Sequence, residues 1–226
     1  EYGEAALKAR EEGYDCVKYD FFSYAPDGRE YHGEDYNRIL SPATLRMLEA
    51  RTAAVREAMG PDGDIIVESH ARPNANAAIQ IGQALEKYGI YYYEEPNTPT
   101  PKMTKYISEH VNIPLASGER IVTRWQYAPY FENNSLRVIQ PDMGNCGGIT
   151  ETKKICDMAF IYDVNVQLHV CASPLSTAAA LQLEAAIPNF LIHEHHVNAL
   201  SDFMRRLCIH EYQPVNGKFT VPELPG

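Results

Sequence analysis

Six times between residues 62 and 196 the chain passes through a short apolar run that leads to an ionisable side chain, and those side chains recur at nearly constant intervals. They are Glu68, Glu94, Glu119, Asp142, His169 and Glu194, separated by 23 to 27 residues. One strand, one helix and their two connections consume about that much chain. The runs are Ile65-Ile66-Val67, Ile90-Tyr91-Tyr92-Tyr93, Ile113-Pro114-Leu115-Ala116, Leu136-Arg137-Val138-Ile139, Val164-Asn165-Val166-Gln167-Leu168 and Phe190-Leu191-Ile192, with Cys16-Val17-Lys18-Tyr19 as a seventh. Continuous apolar runs of this length suit strands of a parallel sheet covered on both faces.

Helices with readable ends lie between the runs. Ser41-Pro42 supplies a cap and a proline at the first helical position, and the segment continues through Leu45, Leu48 and Val55 to Gly60. Asn74 or Asn76 caps the next, whose apolar residues Ala77, Ala78, Ile81 and Leu85 share one face and which stops at Gly89. Gly147-Gly148 opens another, and residues 4–12 read as a helix ahead of the Cys16 strand. Strands alternating with helices predict an α/β fold with a parallel sheet, and this many consecutive units favour closure into a (β/α)-barrel. A chain of 226 residues fits one such domain, residues 1–226, ending in a turn-like Pro225-Gly226. Residues 21–40, rich in Tyr, Asp, Glu and Gly, form a long excursion of the kind that covers a site.

In a barrel of this type the C-terminal ends of the strands share one rim, so the six ionisable residues are expected to converge there. Clustered carboxylates repel one another until a proton or a cation relieves them. Oxygen-only ligands select Mg²⁺, Mn²⁺ or Ca²⁺ over zinc, which makes Glu68, Glu94 and Glu119 the candidate metal ligands. Asp142 is placed to hydrogen-bond His169 and raise its basicity, and such a pair beside a divalent ion suits removal of a carbon-bound proton. His70, two residues past Glu68, is expected to face the same mouth from the opposite side.

Composition excludes several partners. Thirty acidic against twenty basic residues give a formal net charge of −10, which disfavours nucleic acid and anionic membrane and favours a small-molecule ligand. No apolar stretch approaches the roughly 20 residues of a membrane span and no signal-peptide pattern is visible, so a soluble, cytoplasmic protein is expected. The five cysteines, scattered and odd in number, read mostly as small buried apolar residues.

Four strings resemble the mandelate racemase branch of the enolase superfamily, and within it acid-sugar dehydratases of the galactonate dehydratase type. They are Glu68-Ser69-His70, Tyr93-Glu94-Glu95-Pro96, Ser117-Gly118-Glu119-Arg120 continuing to Arg124-Trp125, and Gln140-Pro141-Asp142 with Gly147-Gly148-Ile149-Thr150. The resemblance implies a (β/α)7β barrel, here without its first strand and without the family's N-terminal α+β cap domain. It implies one Mg²⁺ on Glu68, Glu94 and Glu119, with Glu94 rather than Glu95 facing inward. It implies that His169, with Asp142, takes the proton alpha to the substrate carboxylate, that His70 helps the beta hydroxyl leave, and that Glu194 bonds the carboxylate or enediolate. The product implied is a 2-keto-3-deoxy sugar acid, and a homo-oligomer is the family's usual state.

Two departures stand out. The first metal position, more often Asp in the group, is Glu68. The paired lysines of the racemases are represented by Lys18-Tyr19-Asp20, so Lys18 and Asp20 become candidate substrate contacts. Tyr24, Arg29, His32 and Tyr36 of the excursion are further candidates for contacts to sugar hydroxyls. An epimerase, racemase or cycloisomerase would use the same enediolate, and a non-catalytic metabolite-binding relative is a third reading.

Overall fold

Helix ends in this chain are set by single residues. Ser41 Oγ accepts from Thr44 N at 3.1 Å, Pro42 occupies the first turn, and Gly60 ends the helix at φ 75°; a serine cap of this kind is worth about 1 kcal/mol. Asn74, not Asn76, caps the following helix through Ala77 N at 2.9 Å. Gly89 closes it after a short 3-10 turn with φ 64°.

A computed structural model describes residues 1–171, 173–210 and 212–223; Pro225-Gly226 lie outside the described residues. The chain divides into two units, Glu1–Ser117 and Gly118–Gly226. The first contains α1 (Tyr2–Glu11), β1 (Cys16–Asp20), α2 (Gly33–Tyr36), α3 (Pro42–Met59), β2 (Asp64–Glu68), α4 (Ala75–Leu85), β3 (Tyr92–Glu94), α5 (Pro101–Ser108) and β4 (Leu115–Ser117). Its four strands are parallel and neighbour one another in sequence order. Ile65, Ile66 and Val67 of β2 and Tyr92 and Tyr93 of β3 are buried, as strands covered on both faces must be. The expected apolar face of α4, Ala77, Ala78, Ile81 and Leu85, is buried.

The far end of this unit is fastened by Arg56, whose guanidinium donates to Tyr88 O, Gly60 O, Gly63 O and Gly89 O. One side chain thereby satisfies carbonyls left over at the ends of α3 and of the turn after α4. The excursion 21–40 is folded onto the unit. Phe21, Phe22, Tyr36 and Leu40 are buried, and Tyr36 packs edge-on against Phe22 at 4.7 Å.

The second unit contains α6 (Arg124–Glu132), β5 (Val138–Ile139), α7 (Gly148–Ile161), β6 (Asn165–Val166), α8 (Pro174–Glu184) and the short α9 (Asp202–Arg205). β5 and β6 pair in parallel, Val138 with Asn165 and Ile139 with Val166. The run Phe190-Leu191-Ile192, expected as a seventh strand, makes a single bridge from Phe190 to Val166. Its ladder stops there: Val166 bonds Asn189 O and Leu191 N, while Asn189 turns its side chain onto Cys156 O and Val164 O. Of the cysteines, Cys146 and Cys156 are buried as expected, Cys16 and Cys208 are half-buried, and Cys171 is exposed. Among the described residues no helix is long and apolar enough to cross a membrane.

Candidate active site

β1, β2 and β3 end in one row. Asp20 is the register partner of Glu68, and Glu68 that of Glu94, so three carboxylates stand side by side at the C-terminal ends of adjacent strands. Glu68 and Glu94 are buried. Cationic and donor groups converge on the row and offset its charge. Lys18 Nζ lies 2.6 Å from Glu94 Oε1 and 3.8 Å from Glu68 Oε2. His70 bridges two of the acids, with Nδ1 2.9 Å from Asp20 Oδ2 and Nε2 3.1 Å from Glu68 Oε1. Arg72 Nη1 donates to Asp20 Oδ2 at 3.1 Å.

His70 reaches Asp20 because the backbone turns sharply after β2. His70 and Ala71 take φ of 48° and 56°, left-handed values costly for residues with a Cβ, and Glu95 after β3 does the same at 45°. The turn is held by Ala71 N donating to Glu95 O at 3.0 Å and Arg72 N to Ser69 O at 3.1 Å. The Asp20 bond raises the proton affinity of the His70 ring against the effect of burial, with Glu68 adding to it. Burial pushes the Asp20 carboxyl up, but the bonds from His70, Ser23 and the Phe22 amide outweigh it and hold the group below the usual carboxylate range.

In the second unit Asp142 and His169 lie just past β5 and β6. The two strands pair at an offset of 27 residues, and the same offset relates Asp142 to His169. His169 Nδ1 and Asp142 Oδ2 are 2.7 Å apart. His169 Nε2 lies 3.2 Å from Glu119 Oε2, and Arg120 pairs with the same glutamate. Burial works against charge on the His169 ring, but Asp142, Glu194 and Glu119 outweigh it and carry the ring up to about 9. The His169 bond in turn holds Asp142 below the carboxylate range despite partial burial. One row before this pair, Gln140 Nε2 donates to Gln167 Oε1 at 3.1 Å and braces the two strand ends. Glu194 Oε2 accepts from Val170 N at 2.7 Å.

Gly118, within the Ser117-Gly118-Glu119-Arg120 string, has a steric reason. A Cβ there would lie 2.3 Å from Gln140 N, so only glycine lets the chain leading to Glu119 pass this close to the backbone beyond β5.

Each sequence-predicted residue thus has a definite setting. Lys18, Asp20, Glu68, His70 and Glu94 gather in the first unit; Glu119, Asp142 and His169 gather in the second, with Glu194 on the backbone one residue past His169. Asp20, expected at the substrate, is engaged by His70, Arg72 and the Phe22 amide. Tyr36, expected at a sugar hydroxyl, is buried and donates to Phe22 O at 2.7 Å. Arg29 is taken up by Asp35 at 3.0 Å.

Arg72 escaped the sequence reading, although it stands two residues past His70. So did His193, 2.7 Å from Glu184 Oε2, and His195; both rings meet Phe219 edge-on, at 4.7 and 5.1 Å. The alternation along 193–195, with Glu194 bonded to the Val170 amide and its neighbours on Phe219, was the available signal.

Glu68 and Glu94 fit a hard divalent ion by their chemistry. Both are buried, both offer only carboxylate oxygens, and they neighbour each other across two paired strands.

The fold and these strings define a class. All of residues 1–226 match the family described as "Enolase C-terminal domain-like", and the chain belongs to that family, whose domain is the α/β barrel expected from the sequence. Among solved structures, a member of the enolase superfamily from Salmonella Typhimurium is 52% identical, with a TM-score of 0.97 covering 100% of this chain and 57% of that one. Among curated relatives, a D-gluconate dehydratase of Thermoproteus tenax is 33% identical over 100% of this chain and 43% of its own. A D-galactonate dehydratase of Ralstonia nicotianae is 31% identical over 85% of this chain and 52% of its own. The chain therefore spans about half the length of the curated relatives it matches.

Proposed function

We propose that this chain carries the catalytic centre of a magnesium-dependent carbon–oxygen lyase that dehydrates a sugar acid, of galactonate or similar aldonate type, to its 2-keto-3-deoxy product. The observation that carries the reading is the Asp142–His169 pair, in which a carboxylate 2.7 Å from Nδ1 orients the ring and raises its proton affinity. A histidine oriented in this way, with Nε2 as its basic nitrogen, suits removal of a weakly acidic carbon-bound proton. The dehydratase names of the relatives at 31 and 33% identity support the same chemistry.

In this reading His169 takes the proton alpha to the carboxylate at Nε2, while Asp142 keeps Nδ1 protonated and steadies the imidazolium that forms. The electron pair of the broken C–H bond moves into the carboxylate to give an enediolate. It then returns to form the C–C double bond as the beta C–O bond breaks. His70 Nε2 delivers a proton to the departing hydroxyl, water leaves, and the enol tautomerises to the ketone. Glu68, Glu94 and Glu119 are assigned as the magnesium ligands, supported by the buried oxygen-only pair and the repeated interval in the sequence. Bound there, the ion would stabilise the negative charge that develops on the carboxylate oxygens. Lys18 and Glu194 are assigned to hold and polarise the substrate carboxylate.

The test is a screen of aldonates and aldarates with the full-length protein and Mg²⁺, scored for 2-keto-3-deoxy products. Complete absence of turnover would overturn the reading. Exchange of the alpha proton with solvent deuterium, without loss of water from any substrate, would instead identify an epimerase or racemase.

A further inference from the structure

Asp20 occupies the end of β1, where a group free to meet a substrate was expected, yet its carboxylate is committed to the protein. Oδ1 accepts from Phe22 N at 3.0 Å, and Oδ2 accepts from Arg72 Nη1 at 3.1 Å and faces His70 Nδ1 at 2.9 Å. Arg72 is itself fixed from the excursion: Nη1 also donates to Ser23 Oγ at 3.1 Å and to Tyr36 Oη at 3.2 Å, and the guanidinium lies over the Tyr36 ring at 5.5 Å. Tyr36 is buried and anchored on Phe22 O. The chain from the excursion through Arg72 to Asp20 therefore ends on one nitrogen of one imidazole.

We propose that Asp20 is a positioning residue for His70, fixing the ring so that Nε2 and not Nδ1 is presented beside Glu68. The inference rests on the reading above, in which His70 assists departure of the beta hydroxyl. A histidine ring has a broad, roughly two-fold preference about its second torsion, so the side chain alone does not choose which nitrogen faces the site. The His70 side chain is 40% exposed, which leaves it room to turn, whereas Asp20 is 15% exposed and braced on both oxygens. The left-handed turn at His70 and Ala71 brings the ring to Asp20, and a strained backbone retained at such a position accords with a geometric task. Partners that orient a metal-ligating histidine typically matter about 10- to 100-fold when removed, and an effect of that order is expected where the oriented histidine delivers a proton.

The experiment follows the full-length protein and its best substrate by NMR in deuterated water, separating dehydrated product from unreacted substrate that has gained deuterium at the alpha carbon. Asp20→Ala is expected to lower dehydration at least about tenfold, while KM and alpha-proton exchange stay within about twofold of the parent. Asp20→Asn, nearly isosteric and still carrying an oxygen, is expected to lose less, and it serves the same test if the alanine variant does not fold. Equal losses of exchange and dehydration would mark Asp20 as merely structural, and unchanged dehydration would show that it does not act through His70; either overturns the proposal. A parent protein that dehydrates no sugar acid defeats the functional reading instead, a separate outcome visible before any variant is made.

Discussion

Asp142 Oδ2 holds His169 Nδ1 at 2.7 Å, and the 27 residues between them equal the offset at which β5 and β6 pair. The pair is thus a direct product of parallel register. Asp142→Asn is expected to lower kcat for dehydration by about 10²-fold or more with KM little changed, because an amide in place of the carboxylate no longer stabilises the imidazolium. His169→Asn is expected to abolish both dehydration and alpha-proton exchange. Persistence of exchange in His169→Asn, read by deuterium uptake, would reassign the base.

Metal binding offers a check independent of turnover. Calorimetric titration of the full-length protein with Mg²⁺ should give one site, weakened by about tenfold or more in Glu94→Gln, since a neutral amide replaces a buried carboxylate beside Glu68. Activity removed by a chelator should return on adding Mg²⁺. An isotherm identical to the parent's would exclude Glu94 as a ligand.

Gly118→Ala should be damaging for a purely steric reason. The added Cβ would come within 2.3 Å of Gln140 N and 2.4 Å of Gln140 C, backbone atoms that cannot swing aside. A loss of about 1–3 kcal/mol in denaturant unfolding is expected, together with lowered activity, because the displaced segment leads into Glu119. A midpoint matching the parent would contradict the close approach.

His195 should set part of the acid sensitivity. Burial, with His193 and His196 adding to it, holds the ring at about 4, below the ordinary value of about 6.5. Between these values the unfolded chain binds the proton that the folded one refuses. The contribution is therefore fully present above about pH 6.5 and is lost as pH falls toward 4. Because the ring is partly exposed, the contribution is on the order of 1–2 kcal/mol. Unfolding midpoints compared at pH 7.5 and pH 5 should fall less in His195→Asn than in the parent; equal falls would show that His195 does not couple to folding.

Much of the first and second clusters was legible because the side chains sit at strand ends of units with near-constant length. The interval from Glu68 to Glu94 is the pairing offset of β2 and β3, and that from Asp142 to His169 is the offset of β5 and β6. The signal failed where the unit is irregular. Asp20 pairs with Glu68 across 48 residues, a length inflated by the 21–40 excursion, so no repeat pointed to their adjacency. It failed again at Phe190-Leu191-Ile192, where an apolar run reads like a strand but only one bridge forms.

The sequence by itself determined the alternation of strands with helices, the helix ends at Ser41 and Gly89, and the place of Glu68 and Glu94 at strand ends, because apolar periodicity, capping chemistry and unit length are local properties. Only the tertiary structure decided what those acids touch. Lys18 on Glu94, His70 on Asp20, and Arg72 tied to Tyr36 join residues 36 to 76 positions apart. Such contacts depend on register, on a left-handed turn at His70 and on how the excursion folds back, and no local pattern of residues encodes them.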